Sequence, residues 1–445
     1  MDLDLTETQQ AIVYHPAATM SVFAAPGSGK TTVLTNHILH QLQQERLSPS
    51  HIMAVTFTRQ SAQEMKARIQ NQLPPSSRSS SEALKLGTFH AQIFAMLLSR
   101  LPNIPVLLDP REQLQLIRTA LQLQRLPDKT EDVRWWTAYL SRMKSVWPVQ
   151  DKGRGRAHKF LHQYELLKRR SHRWDFDDIL IHACKMIDAG EGENFVPGLR
   201  YLLMDEFQDT NGIQWHIVRH LTANHVAKLF VVGDDDQCIY GFRGANPQWL
   251  LNFRNWYPEA QVKVLEVNFR SDARIIQASR CLIQRNRRRH PKEIVGASRE
   301  AGLTEFCAIP DEEREADCVL QQIQHHHGGT SMAVLARTRR QLVATWTKLP
   351  AALRQRVEFR TFHDAKGKEW DTVHIVGAVA DNPYLRKSRK QEPIDDEEER
   401  RLFYVAMTRA RHELYIYAPG KIGRRRYRPI PYIEEAGISL SSWQV

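Results

Sequence analysis

The stretch Ala24-Ala25-Pro26-Gly27-Ser28-Gly29-Lys30-Thr31 constrains this chain more than any other. It lies between an apolar run, Met20-Ser21-Val22-Phe23, and an amphipathic one, Val33 to Leu39. Strand, glycine-rich loop and helix in that order are the setting a phosphate-binding loop requires. Glycines let the backbone bend so that its N–H groups point inward around an anion. Lys30 adds positive charge for the β- and γ-phosphates, and the Thr31 hydroxyl can ligate Mg²⁺. Ala24 stands where the strict pattern has its first glycine. A plain Gly/Ser-rich surface loop followed by a lysine would not need these flanks. The expectation is a nucleoside triphosphate site on an α/β fold.

At 445 residues the chain is long for one domain, so about two to four packed units are expected. The formal net charge of +12 favours a polyanionic partner. Part of it is clustered: Arg142, Lys144, Lys152, Arg154, Arg156, Lys159, Lys168, Arg169, Arg170 and Arg173 form one group. Arg285, Arg287, Arg288, Arg289 and Lys292 form another. Each group is either a solvated face or, beside a phosphate loop, a nucleic-acid surface. The five cysteines show no C-x-x-C spacing, which argues against zinc or iron–sulfur chemistry and for a reducing compartment. Met1 to Asp4 is acidic with no apolar leader, and no apolar stretch approaches the ~18 residues that span a bilayer. A cytoplasmic protein with no membrane partner is expected.

Along the chain, Thr6-Glu7-Thr8-Gln9 reads as a helix start with a capping box. Gln9 has two open readings: that box, or an amide that reads adenine. His51 to Phe57 reads as a buried strand, Thr58 to Met65 as the helix after it, and Pro74 to Ser81 as a polar loop. Gly87 to His90 marks another strand-to-helix junction, and helical segments dominate from there to about Ala189. Trp135, Trp136 and Trp147 within them are expected in a core. The strand Tyr201 to Met204 ends in Asp205 and Glu206, costly to desolvate unless used. Beside a phosphate loop, Asp205 can hold the Mg²⁺ shell and Glu206 can take a proton from the attacking water. Lys228 to Gly233 is a further strand, ending in Asp234-Asp235-Asp236-Gln237 where ligands of parallel sheets bind. Tyr240-Gly241-Phe242-Arg243 follows as an aromatic–basic interleave suited to stacking bases.

The second half repeats the rhythm. Val262 to Val267, Ser331 to Ala336, Val357 to Phe362, Val373 to Val376 and Leu414 to Tyr417 are strand candidates for a second sheet. Asp395 to Glu399 suits a helix N-terminus, and His325-His326-His327 reads as loop and not as a metal site.

In order, the strings LTETQ, AAPGSGKT, TFTRQSAQEM, GTFH, MDEFQDTNGIQ, VGDDDQCIYGFRGAN, VNFRS, HDAKGKEWDTV and EERRLFYVAMTRAR run from residue 5 to residue 411. Together they resemble the UvrD/Rep/PcrA-type superfamily 1 DNA helicases. The resemblance implies two RecA-like P-loop lobes: residues 1–90 and 176–265 as the first, ATP-binding lobe, 91–175 as a basic helical insertion, and 266–445 as the second lobe. It implies that Gln9 reads adenine, that Ala24, Ala25, Pro26, Gly27, Ser28, Gly29, Lys30, Thr31 and Thr32 hold the nucleotide, and that Thr31 and Asp205 hold Mg²⁺. Phe269 resembles the aromatic that stacks on the base, Glu369 a contact to the nucleotide sugar, and Gln237 the residue coupling phosphate state to strand grip. Arg270 and Arg409 resemble the two arginines that reach the γ-phosphate. Phe57, Thr88, Phe89, His90, Tyr240, Phe242, Arg337, Thr361 and His363 match positions lining a single-strand track.

The chain departs from the family pattern in places. Phe269 replaces Tyr, Phe242 replaces Trp, Thr32 stands where Arg is common, and Arg59 replaces Asn. Only about twenty residues, Leu342 to Arg360, occupy the place of the large insertion of the second lobe. The resemblance therefore implies a compact ATP-driven motor on single-stranded DNA and strand junctions, moving 3′ to 5′. It unwinds by itself or, alternatively, acts as a translocase or nucleotide-gated DNA-binding subunit that unwinds only with a partner. A monomer is expected, with a protein partner for processive unwinding as an option. The same backbone and stacking contacts would serve RNA, since they discriminate sugars weakly.

Overall fold

In the computed structural model the described residues are 5–16, 19–78, 80–149, 155–191, 195–222, 227–326, 329–385 and 395–439. Met1 to Asp4, Lys152, Arg154 and His327, which the sequence reading invoked, lie outside them. The chain resolves into two units. The first holds residues 1–23, 30–233 and 240–263, and the second holds 24–29, 234–239 and 264–445.

The first unit opens on α1 (Glu7–Val13), where Thr6 and Gln9 form the reciprocal capping box. Short apolar runs bounded by polar turns make the strands β1 (Met20–Ala24), β2 (Ile52–Thr56), β3 (Lys85–Thr88), β4 (Tyr201–Met204) and β5 (Lys228–Gly233). A sixth, β6 (Gln261–Leu265), completes the order β3-β2-β4-β5-β1-β6. The pairings of β1 to β5 are parallel. A parallel sheet is covered on both faces, which is why β1, β2 and β4 are buried at every position and read as unbroken apolar runs. The covering helices include α2 (Lys30–Gln43), α3 (Arg59–Gln72) and α4 (Phe89–Leu98).

Three helices with broad apolar faces follow β3: α5 (Pro110–Leu123), α6 (Thr130–Lys144) and α7 (Arg156–Arg170). They share a core of Ile117, Leu121, Trp136, Leu140, Phe160 and Tyr164, so Trp135 and Trp136 pack as expected. Trp147 instead donates its indole N–H to Asp188, 2.7 Å away. The helix α8 (Phe176–Met186) returns the chain to the sheet.

The first basic cluster is only partly a surface. Lys144 and Lys168 are buried, at 2 % and 3 % exposure. The Lys144 ammonium lies 2.6 Å from Asp175 and 3.0 Å from Asp178, and Lys168 lies 2.6 Å from Asp178. Tyr164 donates to Asp175 as well, at 2.8 Å. Burial alone would raise the Asp175 carboxyl, but Lys144 and Lys168 outweigh it and hold it well below the usual range. Stranding one such buried charge costs about 3–5 kcal/mol in general. These lysines therefore belong to the fold, while Arg142, Arg156, Lys159, Arg169 and Arg170 remain exposed.

The second unit is built on five strands, β7 (Leu303–Ile309), β8 (Met332–Ala336), β9 (Val357–Thr361), β10 (Trp370–Ile375) and β11 (Ala410–Pro419). Their order is β7-β11-β10-β8-β9, and every pairing is parallel. The helices α9 (Gly212–Leu221, in the first unit), α10 (Ala273–Ile283), α11 (Glu312–His325), α12 (Leu342–Lys348) and α13 (Asp396–Met407) complete the elements used below. Asp395 caps α13 as the acidic run predicts.

Three expectations change. Val262 to Val267 breaks at Glu266 and its main part, β6, joins the first sheet instead of the second. β7 was not anticipated: it lies at the edge of the sheet, and only Phe306, Cys307 and Ile309 of its residues are buried. Pro74 to Ser81, read as loop, contains a helical turn at Pro75–Arg78. Between β8 and β9 stand only α12 and the turn Ala351–Arg354.

Glu315 of α11 is buried and accepts a hydrogen bond from the Gly377 N–H at 2.7 Å. Burial pushes its carboxyl up from 4.5 to about 8, against the pull of that N–H and with a smaller push from Glu312. The folded state thus holds a proton that the unfolded chain releases. This contribution is fully present below pH 4.5 and is lost as pH rises through about 8. Glu315→Gln should therefore gain thermal stability relative to the parent across that window. Melting curves over the range check it, and parallel curves would refute it.

Candidate functional site

In the first unit β4 delivers two carboxylates to the C-terminal edge of its sheet. The Asp205 N–H still pairs with the Val55 carbonyl, at 2.9 Å, so its side chain is placed by the last rung of the ladder. Glu206 then takes a left-handed backbone, φ 51°, a conformation that a non-glycine residue adopts only when its surroundings enforce it. The turn lets the Glu206 N–H donate to Asp205 Oδ1 at 2.9 Å, while Glu206 Oε2 accepts from Gln208 Nε2 at 2.5 Å. Burial, and then Glu206, push the Asp205 carboxyl up to about 7, with Lys30 and the Thr31 hydroxyl pulling the other way. Lys30 and Thr31 open α2, so the structure brings Lys30, Thr31, Asp205 and Glu206 together as the motifs suggest.

The loop before α2 groups with the second unit. Gly27 and Gly29 have φ of 65° and 81°, and a Cβ on Gly27 would lie 2.6 Å from the Cβ of Arg270. Only glycine fits there. Ser28 turns its hydroxyl back to the Ala25 carbonyl at 2.7 Å, and the Gly27 carbonyl accepts from the Phe269 N–H at 3.0 Å. The Phe269 ring is half exposed, at 49 %.

Arg270 is steered by neighbours. Its N–H donates to Asn268 Oδ1 at 2.7 Å, its Nε to Glu369, and its Nη1 to the Thr408 carbonyl at 3.3 Å. Glu369 also accepts from Arg411; burial would raise its carboxyl, but Arg270 and Arg411 hold it below the usual range. Its carboxylate is thus engaged by two guanidinium groups. Arg409, at 1 % exposure, donates to the Val405 carbonyl (2.9 Å), the Lys368 carbonyl (3.1 Å), Thr408 Oγ1 (3.1 Å) and Gln237 Oε1 (3.2 Å). Sequence reasoning missed Gln208, Asn268 and Arg411 as supporting groups. Gln208 was within reach, since it lies two residues past Glu206 in a string already singled out.

The second basic cluster is partly internal: Lys292 is buried and Arg289 half-buried, while Arg285, Arg287 and Arg288 are exposed. Lys292 is fully buried, its ammonium 2.7, 2.6 and 3.0 Å from Asp234, Asp235 and Asp236. Arg289 grips Asp236 through two hydrogen bonds, of 3.0 and 2.8 Å, and Arg288 pairs with Asp395 and Glu397. Arg288, Arg289 and Lys292 are thus engaged by carboxylates within the chain. The three aspartates are close enough to share a cation, and that cation is the Lys292 ammonium.

The track residues divide. Phe57 stacks on Tyr240 with centroids 5.0 Å apart and planes within 19°, and Phe242 leans on Tyr240 at 6.1 Å. Phe57 and Phe242 are 41 % and 44 % exposed, and Arg243 lies over the Tyr240 and Phe242 rings. This is an open aromatic–basic surface. Phe89 does not belong to it: it is 6 % exposed, on the same buried face of α4 as Ile93 and Leu97. Thr88 caps that helix, and burial pushes the half-buried His90 imidazole down to about 4, keeping it neutral. In the second unit Arg337 is held by Glu399 through bonds of 2.9 and 2.7 Å. Thr361 Oγ1 accepts from the Asp364 N–H at 3.2 Å, and His363 is half-buried beside it in sequence.

Residues 5–258 match the model of the UvrD/REP helicase N-terminal domain, which is more than half of the chain. The chain belongs to the UvrD/REP helicase family. Residues 347–419 match the UvrD-like helicase C-terminal domain. Among similar proteins, the ATP-dependent DNA helicase PcrA of Staphylococcus epidermidis is 30 % identical over 357 residues, covering 76 % of this chain and 48 % of the relative. PcrA of Staphylococcus aureus is 30 % identical over 339 residues, covering 72 % of this chain and 46 % of the relative. The chain thus spans about half the length of the curated relatives it matches. The two RecA-like α/β sheets described above are those of this family. No helix among the described residues is long and apolar enough to cross a membrane.

Proposed function

We propose that this UvrD/REP family member is an ATP-dependent motor on single-stranded DNA, a 3′-to-5′ helicase or translocase. The observation that carries the reading is the Asp205–Glu206 pair beside Lys30 and Thr31 at the edge of the first sheet. Residues 1–90 and 176–265 serve as the ATP-binding lobe, 91–175 as its helical insertion and 266–445 as the second lobe. Ala24 to Thr32 hold the nucleotide, with Gln9 at the adenine, Phe269 stacked on the base and Glu369 at the sugar. Thr31 and Asp205 would hold Mg²⁺. The fit rests on Asp205, a half-buried carboxyl beside a second one, whose ionised form a divalent cation would favour. Bound there, Mg²⁺ would neutralise charge on the β- and γ-phosphate oxygens.

Each residue then has one task. Lys30 and the loop N–H groups bind phosphate, Glu206 accepts the proton of the attacking water, and Arg270 and Arg409 add charge as the γ-phosphate leaves. Gln237 links phosphate state to strand grip. Phe57, Tyr240 and Phe242 stack on bases, with Thr88, His90, Arg337, Thr361 and His363 along the strand. A polyanionic strand also suits the net charge of +12. The free cysteines fit a cytoplasmic setting, and a monomer is the working state.

A translocase that unwinds only with a partner is the second reading, favoured by the short span of α12 and Ala351–Arg354 between β8 and β9. The test is ATP turnover with and without single-stranded DNA and RNA, followed by a duplex bearing a 3′ single-stranded tail. Stimulation by the strand is expected, with Lys30→Ala at background. Turnover that is flat with and without strand would favour the nucleotide-gated binding subunit. Stimulation without strand separation would leave the translocase.

A further inference from the structure

Gln237 sits in the middle of a buried chain of hydrogen bonds. On one side its Oε1 accepts from Arg409 Nη2 at 3.2 Å. On the other its Nε2 donates to Asp234 Oδ2 at 2.6 Å. The other oxygen of Asp234 accepts from the Lys292 ammonium at 2.7 Å and from the Asp236 N–H at 3.2 Å. Lys292 also reaches Asp235 Oδ1 at 2.6 Å, and the second Asp235 oxygen accepts from the His290 N–H at 2.7 Å. Asp236 is clamped by both Arg289 and Lys292. The Gln237 carbonyl takes a further bond from the Lys366 ammonium at 2.8 Å.

The burial of this cluster is complete: Asp234, Asp235 and Asp236 are at 0 % exposure, Gln237 at 3 % and Arg409 at 1 %. Such a network is costly to assemble unless every member is satisfied, and here every carboxylate oxygen just described has a donor. Its consequence is geometric. A free glutamine amide can flip and turn about its side-chain bonds. With Asp234 accepting only, the Gln237 nitrogen must face Asp234, so its oxygen must face Arg409. The orientation of Gln237, and the acceptor offered to Arg409, are therefore set by which way Asp234 is held. Lys292 holds it.

We propose that Asp234 and Lys292 are positioning residues for ATP hydrolysis, acting through Gln237 on the guanidinium of Arg409. This rests on the reading of Gln237 and Arg409 given above. Neither Asp234 nor Lys292 needs to touch the nucleotide.

Asp234→Asn is the sharpest test. Asp234 accepts at both ends, and an amide accepts at one end only, so the variant must lose either Lys292 or Gln237. It also leaves two carboxylates against Lys292 and Arg289, where the parent has three, so no cation is stranded. The expected result is a fall in kcat on the order of 10- to 100-fold, the scale of a small misplacement of a reacting group. ATP affinity, read by equilibrium binding, should not move.

A role confined to folding would also lower activity, so the deciding measurement is a double-mutant cycle with Gln237→Ala. Acting through Gln237, Asp234→Asn should cost no further kcat in the Gln237→Ala background. The same fold-loss in both backgrounds, or parent kcat in folded Asp234→Asn, overturns the proposal. If Asp234→Asn does not fold, Lys292→Arg takes its place in the same cycle, keeping the charge while displacing Asp234. Its loss must likewise vanish with Gln237→Ala. Parent turnover in Arg409→Ala would overturn the underlying reading and the proposal with it. A low turnover in Arg409→Ala with independent effects in the cycle overturns the proposal alone.

Discussion

Arg409→Ala is expected to lower ATP turnover on the order of 10³-fold or more, the scale of other arginines that stabilise a phosphoryl transition state. Binding of ATP should survive, because in the function proposed above Lys30 and the loop N–H groups carry that task. The reason lies in how the side chain is held. Arg409 ends the turn between α13 and β11, and its guanidinium is buried with four hydrogen bonds of 2.9 to 3.2 Å. A cation fixed in a dry site costs no reorganisation when charge develops, which is where electrostatic catalysis is largest. Removing it also strips a donor from the buried Val405 carbonyl, a loss of about 1–3 kcal/mol. Melting temperature must therefore be measured beside single-turnover hydrolysis and equilibrium ATP binding. Arg409→Lys separates charge from shape: it keeps the charge but not the fork, and should recover little of the rate. Parent-like turnover in folded Arg409→Ala would end the assignment.

What the sequence made legible follows the range of the physics. The phosphate loop, the strand Tyr201–Met204 and its terminal acids are local patterns, and a parallel strand buried on both faces is a short apolar run bounded by turn signals. The edge strand Leu303–Ile309 escaped because its composition is mixed and its first three residues, Leu303, Thr304 and Glu305, are only half-buried. The basic clusters misled for a different reason. The acids that neutralise Lys144 are 31 and 34 residues away, and the partners of Lys292 are 57 and 58 residues away. No charge count along the chain reveals that pairing. Phe89 was misread because GTFH names an aromatic at a junction without saying which way it points; the helix α4 turns it inward beside Ile93 and Leu97. Gln9 satisfies its local reading fully, since its amide oxygen accepts from the Thr6 N–H at 3.1 Å.

Glu206→Gln carries the second large effect. Glu206 occupies a strained left-handed position directly after Asp205, and Gln208 Nε2 holds its Oε2 at 2.5 Å. The strain is informative, because a strand could end in an exposed acid without it. An amide has the same shape and can still accept from Gln208, so the fold should be kept, yet it cannot take a proton from water. Loss of a general base lowers turnover by about 10²- to 10⁴-fold, and that range is expected here. Because the nucleotide contacts remain, ATP should bind as in the parent, and the variant should trap a strand-bound, ATP-loaded state. Gln208→Ala should lose less, since it frees the Glu206 side chain without removing its basicity. Presteady-state hydrolysis and strand binding in the presence of ATP measure both. If Glu206→Gln changes KM alone, Glu206 is a binding residue and another group activates the water.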